Sequence, residues 1–216
     1  MSLNKIQGIE YWKERPLTDE KRDWDYKKTT WVEDYLYSVD HPHRNLIIDE
    51  LWKFWPFQSL LEVGCNCGPN LLKIKSKFSD VRLYGVDINK DAIKCVKKVF
   101  NGEGEFKIAS ASRLPFPSKS IDVILTDAVL MYIPPEEIKE VLNEFLRVAK
   151  RGLILVEWAA RDSELGVIKD YHWCRSYSKL LRKLDIKNVS TIKIHKNLWP
   201  TKTWSKRGRV TICQIQ

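Results

Sequence analysis

The chain has 216 residues, 44% of them hydrophobic, which is enough for one well-buried α/β domain with a small appendage but not for two domains. It contains no run of about 18 apolar residues, and its first residues lack the apolar stretch of a secretory signal. We therefore expect a soluble, cytoplasmic protein without a membrane segment. Its five cysteines show no repeated pair pattern and are expected to remain thiols in a reducing compartment.

The net charge of +9 is concentrated in the last quarter of the chain. Residues 161–216 contain 13 Lys and Arg against 4 Asp and Glu, whereas residues 1–56 contain 9 against 11. Local positive charge attracts anionic partners such as acidic metabolites, phosphates or RNA. A solvated basic surface is an equally good interpretation.

Residues 1–56 are rich in Trp and Tyr and contain two or three amphipathic helical stretches without a strand pattern. We interpret them as a helical cap over the sheet, within the same domain as residues 57–216. Their aromatic side chains either line a pocket or, as is more common, pack against the domain. These residues are Tyr11, Trp12, Trp24, Tyr26, Trp31, Tyr35 and Tyr37.

Short β-rich runs alternate with helical periodicity after residue 56, which predicts βαβ units and a largely parallel sheet. The predicted strands are Ser59–Gly64, Arg82–Asp87, Glu105–Ala109, Ile121–Thr126, Gly152–Trp158, Val189–His195 and Val210–Gln214. Only residues 196–208 join the last two strands, which is too short for the usual helical crossover. We therefore expect these two strands to be antiparallel.

Four helices are predicted between the strands. Pro69 suits the first position of one helix, and a second runs from about Asp91 to Phe100. Pro134 to Glu137 should open a third helix, which Lys150-Arg151-Gly152 should close with cations and a glycine. A fourth is expected over about Tyr177 to Leu184.

Residues 60–72 are the most informative segment, because they indicate a buried strand, a tight glycine turn and a helix start. Asp87 ends the next strand. In doubly wound folds such a unit holds a nucleoside: the backbone approaches the ligand at the turn, and the carboxylate accepts hydrogen bonds from the ribose. A dinucleotide-binding oxidoreductase is disfavoured, because Gly64 and Gly68 flank three residues and Pro69 lacks the amide donor that a pyrophosphate needs.

Five motifs follow one another in the order typical of class I S-adenosylmethionine-dependent methyltransferases. They are Glu62–Gly68, Gly85–Ile88, Ala111–Phe116, Ser120–Asp127 and Glu144–Gly152. The chain resembles that family from about Ser59 to its C-terminus. The resemblance implies an α/β, Rossmann-like, doubly wound sheet of seven mostly parallel strands, the last one antiparallel, with S-adenosylmethionine as cofactor.

Three positions depart from the family pattern. Asn66 replaces a usual glycine, and asparagine is among the few residues that tolerate a positive φ. Cys67 occupies a small hydroxyl-type position; with Cys65 it makes an incomplete metal set, so we interpret both thiols as small buried side chains and expect no metal. Ser110 stands where many relatives have Asp, which leaves the adenine contact weaker or made by the backbone.

The resemblance also assigns cofactor-binding residues. Glu62 and Gly64 would lie beside the methionine end of the cofactor, and Asp127 would lie near its amino group. The remaining residues of the predicted site are Asp87 and Ile88 at the ribose and adenine, Ser110 and Ala111 at the adenine edge, and the turn residues Cys65, Gly68 and Asn70. For Asp87 the alternative is a helix N-cap, a role for which Asn89 is better suited.

The segment His41-Pro42-His43-Arg44 precedes an amphipathic helix. Arg44 would either pair with the carboxylate of the cofactor or belong to a solvent-facing helix entry. Separately, the loop from Lys196 to Arg209 interleaves aromatic and basic side chains that suit an anionic or ring-containing acceptor.

A general base is needed only for acceptors with a poorly nucleophilic form. The candidate bases are His43, His172, Glu157 and Asp127, of which His172 and Glu157 follow the fifth predicted strand. For a lone histidine a structural role is the commoner one. Methyl transfer itself is an in-line displacement in which alignment supplies much of the rate enhancement.

The function that the sequence favours is methyl transfer to a small metabolite, anionic or sugar-like. The alternative is an RNA or tRNA methyltransferase that uses the basic last quarter. A third class is a relative without turnover that binds the cofactor or a partner. Because fold does not determine substrate, the acceptor must be inferred from the site.

Overall fold

A computed structural model describes residues 8–16, 30–160, 165–167 and 172–215. Its strands are β1 (Ser59–Val63), β2 (Arg82–Asp87), β3 (Glu105–Ile108), β4 (Ile121–Asp127), β5 (Ala149–Trp158), β6 (Leu165–Val167), β7 (Trp173–Cys174), β8 (Asn188–Lys193) and β9 (Gly208–Gln214). Seven of them form one sheet in the order β3-β2-β1-β4-β5-β9-β8, and β6 pairs with β7 separately. The predicted seven-stranded sheet is confirmed.

The direction of the strands also agrees with the prediction. Strands β1 to β5 are parallel to one another, whereas β9 runs antiparallel to both β5 and β8. Consequently β8 runs in the same direction as β1. The carboxyl ends of all the parallel strands therefore meet at one edge of the sheet, which is where doubly wound folds bind their ligands.

Helices cover both faces of the sheet. They are α1 (Ile9–Glu14), α2 (Trp31–Tyr37), α3 (His43–Leu51), α4 (Pro69–Lys75), α5 (Lys90–Val99), α6 (Ile138–Val148), α7 (Tyr177–Arg182) and α8 (Lys202–Arg207). One core cluster joins the sheet to α3, α4, α5 and α8, and a second joins it to α6 and α7. None of the helices in the described ranges combines the length and the apolar character that crossing a membrane requires.

Helix α6 differs from the prediction at both ends. It begins at Ile138 rather than Pro134, because a residue that precedes a proline is disfavoured in the helical region and Pro134 precedes Pro135. It ends at Val148, and Ala149 already pairs with Ile121 of β4. The predicted helix-closing residues Lys150-Arg151-Gly152 therefore belong to β5, where Gly152 pairs with Val123 of β4 and Gln214 of β9.

The segment between β8 and β9 contains a helix that the sequence analysis did not predict. Thr201 caps α8 by accepting a hydrogen bond from the backbone N–H of Trp204. This six-residue helix is too short to carry the chain to the other edge of the sheet, so the two strands remain antiparallel neighbours.

The turn between β1 and α4 depends on backbone conformations with positive φ. Gly64 and Gly68 have φ of 75° and 85°, and Asn66 has φ of 47°, as its residue type allows. A Cβ atom on Gly68 would lie 2.7 Å from Cγ2 of Val96 and 3.0 Å from the ring of Phe100. The absence of a side chain therefore lets the turn pack directly on α5.

Substitution of Gly68 by alanine tests this packing. The neighbouring Gly102 also has a positive φ, of 88°, but no atom lies within 4 Å of the position its Cβ would take. We expect Gly102→Ala to lower the free energy of unfolding by about 1 kcal/mol and Gly68→Ala by about 2–4 kcal/mol, because only the second adds steric overlap. Urea denaturation measures both, and equal losses would contradict the packing argument.

Candidate functional site

A cavity of about 240 Å³ opens at the carboxyl ends of β1, β2 and β4. Ten of the eleven predicted cofactor-binding residues line it: Arg44, Glu62, Gly64, Cys65, Asn70, Asp87, Ile88, Ser110, Ala111 and Asp127. The eleventh, Gly68, lies behind the turn against α5. The three segments that the sequence analysis singled out after β1, β2 and β4 therefore come together around one space.

Two buried carboxylates share one end of this cavity. Glu62 and Asp127 come from the adjacent strands β1 and β4, and Asn70 joins them by donating Nδ2–H bonds of 2.7 Å to Glu62 Oε1 and 3.0 Å to Asp127 Oδ2. Burial raises the pKa of Glu62 to about 8, and the charge of Asp127 adds to the effect. Burial also acts to raise the pKa of Asp127, but the charge and hydrogen bond of His43, with Arg44 and Asn70, outweigh it and lower that pKa.

Four polar atoms at this end are buried without a hydrogen-bond partner among the described residues. They are Arg44 Nε, Glu62 Oε2, Asn70 Oδ1 and Asp127 Oδ1. A buried polar group without a partner is destabilising, so clusters of such groups indicate a ligand. Because these atoms include both a cationic donor and carboxylate acceptors, they suit a ligand that carries a positive and a negative group.

Arg44 is buried rather than exposed at a helix entry, with 6% of its surface accessible. Its guanidinium Nη1 donates to the backbone carbonyl of Ser38. Burial lowers the pKa of Arg44, and the carboxylates of Asp127 and Glu62 act against this change. Of the two alternatives for Arg44, the solvent-facing helix entry is wrong.

Asp87 lies at the end of β2 and holds the glycine turn in place. Its Oδ2 accepts from the backbone N–H of Asn66 at 2.9 Å, and its Oδ1 accepts from that of Asn89 at 2.8 Å. Burial raises the pKa of Asp87, and these backbone hydrogen bonds act in the opposite direction. The N-cap of α5 is Asn89, whose side chain accepts from Asp91 and Ala92, so Asp87 remains available to the cavity.

Aromatic residues from the N-terminal segment cover the cavity. Trp12 and Tyr35 line it, and Asn89 fixes α1 over the site by donating 2.8 Å hydrogen bonds to the carbonyls of Trp12 and Arg15. By contrast, Tyr37 is 79% exposed. Trp24 and Tyr26, which belonged to the same predicted set, lie outside the described residues.

Cys65 and Cys67 are both buried, at 1% and 0% exposure. Burial raises the pKa of Cys65, and the nearby carboxylates of Asp87 and Glu62 raise it further. Within the described parts of the chain, no group of three or more His, Cys, Asp or Glu is arranged to hold a metal ion.

Glu157, a predicted candidate base, lies beneath the segment that follows β4 and does not line the cavity. Its Oε1 accepts hydrogen bonds from the Thr126 hydroxyl and from the backbone N–H groups of Val129 and Leu130. Its Oε2 accepts a hydrogen bond of 3.2 Å from the backbone N–H of Met131. From the other side, buried Arg175 donates to the carbonyls of Leu130 and Ile133. The two side chains thus hold the short 3₁₀ segment Leu130–Tyr132. Tyr132 of this segment and its flanking residues Val129 and Ile133 form a cavity wall.

His172, the other predicted base, also lies outside the cavity lining. Its ring stacks on Trp158 at a centroid distance of 4.9 Å and contacts Tyr132 at 4.6 Å. The structure therefore places it behind the wall formed by Tyr132.

The aromatic residues of the C-terminal loop stack within the protein. Trp199 and Trp204 stack nearly parallel, with ring centroids 3.8 Å apart and an interplanar angle of 5°. Trp199 also contacts the rings of His43 and His41, at centroid distances of 4.1 and 5.2 Å. The expectation that this loop offers its rings to an acceptor is replaced by an internal stack, while Lys202 and Lys206 remain exposed.

Sequence comparison gives the family of the central region. Residues 60–152 match the methyltransferase domain family. This region is therefore similar to that family. The chain is also 32% identical over 94 residues to a fatty-acid O-methyltransferase of Mycolicibacterium smegmatis, which is 43% of this chain and 34% of that enzyme. The chain spans less than half of the length of the curated relatives it matches, 41% and 34% for two of them.

Solved structures of methyltransferases share the fold of this domain. Geranyl diphosphate C-methyltransferase from Streptomyces coelicolor, crystallised with S-adenosylhomocysteine, superimposes with a TM-score of 0.65 at 14% identity, over 96% of this chain and 91% of that one. Magnesium protoporphyrin IX methyltransferase from Synechocystis, with bound S-adenosylmethionine, gives a TM-score of 0.62 at 13% identity, over 90% and 88%. The fold is therefore that of S-adenosylmethionine-dependent enzymes.

Two features of the cavity were missed from the sequence. Tyr132 lines the cavity, and its position five residues after the end of β4 is a usable signal, because loops at the carboxyl ends of strands line such sites. The link that Asn70 makes between two carboxylates has no sequence signal, since it depends on the spacing of β1 and β4.

The pH dependence of stability tests the structural placement of Glu157. Burial raises its pKa to about 7 from an ordinary value of 4.5. A carboxyl group with a raised pKa in the folded state contributes stability that is fully present below its unfolded pKa and is lost as the pH rises through the folded value. Glutamine at this position does not titrate. When the pH is raised from 5 to 8, the free energy of unfolding of the wild type should therefore fall by about 2 kcal/mol more than that of Glu157→Gln.

Chemical denaturation at the two pH values measures this difference. Glu140→Gln, on the exposed surface of α6, is the matched control and should leave the pH dependence of the wild type unchanged. Parallel pH profiles for the wild type and Glu157→Gln would show that Glu157 does not titrate in this range.

Proposed function

We propose that this protein is an S-adenosylmethionine-dependent methyltransferase that acts on a small metabolite, anionic or sugar-like. The observation that carries the proposal is the convergence of unpartnered buried atoms from Arg44, Glu62, Asn70 and Asp127 on one cavity beside Asp87. The amino-acid end of the cofactor carries an ammonium and a carboxylate, which are the groups that these atoms suit. The cofactor supplies an activated methyl group on a sulfonium.

The two ends of the cofactor are recognised by different chemistry. Arg44 pairs with the carboxylate, and Asp127 and Glu62 accept from the ammonium. Asp87 accepts from the ribose hydroxyls, and the adenine lies between Ile88 and the backbone of Ser110 and Ala111. Ser110 is exposed and its hydroxyl lies 3.0 Å from that of Ser112, which favours a backbone contact to the adenine.

The acceptor enters from the side that the N-terminal segment and the wall after β4 enclose. Trp12, Tyr35 and Tyr132 give this side an aromatic lining. A covered cavity of this size favours a small acceptor, and exposed Lys202 and Lys206 on the neighbouring loop attract an anionic one. Glu157 and His172 hold the wall in this proposal, and neither acts as a base.

Isothermal titration with S-adenosylhomocysteine tests the cofactor site. We expect micromolar binding by the wild type and a loss of about 10- to 100-fold for Asp87→Asn, because the variant replaces a charge-assisted acceptor by a neutral one. Asp91→Asn, in the first turn of α5 and away from the cavity, should bind as the wild type does. An absence of binding to the wild type would refute the proposal.

A second function, methylation of RNA, is favoured by the charge of the C-terminal part. Residues 172–215 contain eleven Lys and Arg against one acidic residue, Asp185. Most of these cations are exposed and lie in the stretch from α7 through β8 to α8: Lys179, Arg182, Lys183, Lys187, Lys193, Lys196, Lys202 and Lys206. Strand β8 ends at the same edge of the sheet as β4, so the segment that follows β8 leaves the sheet on the side of the cavity.

Salt dependence distinguishes the two acceptor classes. An RNA methyltransferase should bind a transfer RNA with an affinity that falls steeply between 50 and 200 mM salt, because phosphate contacts release counterions. For a small-molecule enzyme we expect no measurable RNA binding in fluorescence anisotropy at either concentration.

A further inference from the structure

A short chain of hydrogen bonds leads from the cavity to the protein surface through two histidines. His43 Nε2 lies 2.9 Å from Asp127 Oδ2, and His43 Nδ1 lies 2.5 Å from Nδ1 of His41. His43 is buried at 3% exposure, whereas His41 is half-buried. Neither the family pattern nor the cofactor contacts proposed above give these two residues a role.

The positions of the hydrogens follow from the partners. An ionised carboxylate only accepts hydrogen bonds, so Nε2 of His43 must carry the hydrogen that points to Asp127. Two facing Nδ1 atoms at 2.5 Å share a single hydrogen, which either ring can hold. When His41 holds it, Nδ1 of His43 can only accept, so a neutral His43 must carry its hydrogen on Nε2 and donate it to the carboxylate.

His41 is suited to this role because it remains uncharged. Burial lowers its pKa to about 4, and the charges of His43 and Arg44 lower it further. Near neutral pH it therefore pairs with His43 as a neutral imidazole and does not repel it. Packing fixes the pair as well, since the Trp199 ring lies 5.2 Å from His41 and 4.1 Å from His43.

We propose that His43 is a positioning residue that holds Asp127 with its Oδ1 available to the cationic group of the ligand, and that His41 fixes the tautomer of His43. The Oδ2 atom of Asp127 accepts two hydrogen bonds, from His43 at 2.9 Å and from Asn70 at 3.0 Å. Its Oδ1 has no partner among the described residues. The bonds to Oδ2 therefore orient the carboxylate, and one oxygen is left for the cavity.

The surroundings of Asp127 explain why such a residue is needed. Burial disfavours the charge of Asp127, while His43 and Arg44 of α3 and Asn70 of α4 favour it, and Glu62 of β1 faces the same group. Without His43, the effect of burial on the pKa of Asp127 would be opposed by Arg44 and Asn70 alone. Asp127 would then be protonated more readily and would attract a cation less strongly.

This inference rests on the proposed cofactor site, and two substitutions of His43 test it. In His43→Gln the side-chain amide can place a donor where Nε2 lies, whereas His43→Leu has no donor. We expect the affinity for S-adenosylhomocysteine to fall by about 10- to 100-fold in His43→Leu and by no more than about threefold in His43→Gln. Both variants remove the imidazole ring from Trp199, so a role in packing alone would weaken binding equally in the two.

The control is His195→Leu, which replaces an exposed histidine and should bind as the wild type does. Thermal denaturation of each variant shows whether it is folded. Equal affinities for His43→Leu and the wild type, or equal losses in His43→Leu and His43→Gln, would overturn the inference.

Nitrogen NMR of the ring atoms tests the inference without a ligand. The chain has only four histidines, so their ¹⁵N signals can be assigned by substitution. We expect His43 to carry hydrogen on Nε2 in the wild type and to become a mixture of tautomers in His41→Phe. An unprotonated Nε2 in the wild type would overturn the inference, whereas failure of S-adenosylhomocysteine to bind together with the expected tautomer would overturn only the proposed cofactor site.

Discussion

Asn70 donates one hydrogen bond to Glu62 and one to Asp127, and these two bonds join buried carboxylates that would otherwise repel each other. The two strands that carry the acids are adjacent in the sheet, so the acids cannot separate. The two carboxylates differ in how readily they bind a proton. Burial makes Glu62 easily protonated, with a pKa of about 8, while His43 and Arg44 keep Asp127 ionised. Much of the surrounding structure supplies groups to this cluster.

The N-terminal segment is part of the site for this reason. It brings His43 and Arg44 to the carboxylates, and an ion pair of 2.8 Å between Lys73 and Asp40 ties it to α4. The far end of the chain adds Trp199, whose ring lies against His43. Residues more than 150 positions apart in sequence therefore pack around one acid, which couples the N-terminal segment and the C-terminal loop to the end of the cavity that holds the two carboxylates.

The opposite wall is held by a separate set of contacts. Glu157 accepts the amides at the start of the 3₁₀ segment after β4, and Arg175 donates to its carbonyls. Ala128 has a positive φ of 58°, so the chain turns sharply as it leaves β4. A buried pair of this kind suits the task, because charged groups hydrogen-bond the backbone of a short segment more strongly than neutral ones do. The wall that carries Tyr132 is thereby held by hydrogen bonds from within the protein.

The sequence alone determined the seven strands, their parallel and antiparallel order, and the acids at the ends of β1, β2 and β4. These features depend on local hydrophobic periodicity, on glycine and asparagine at positions of positive φ, and on the order of the motifs. Each of these can be recognised in short stretches of consecutive residues. The boundaries of α6 and the existence of α8 were missed, because strand pairing and capping decide them.

Only the tertiary structure decided what each acid and base does. Glu157 and His172 were candidate bases because they lie at and after the end of β5, yet their partners Met131 and Tyr132 place them behind the wall. His43 was one candidate base among four, and its pairing with Asp127 joins residues 84 positions apart. Such roles depend on which groups neighbouring strands and a distant helix bring within hydrogen-bond distance, and no local pattern encodes that distance.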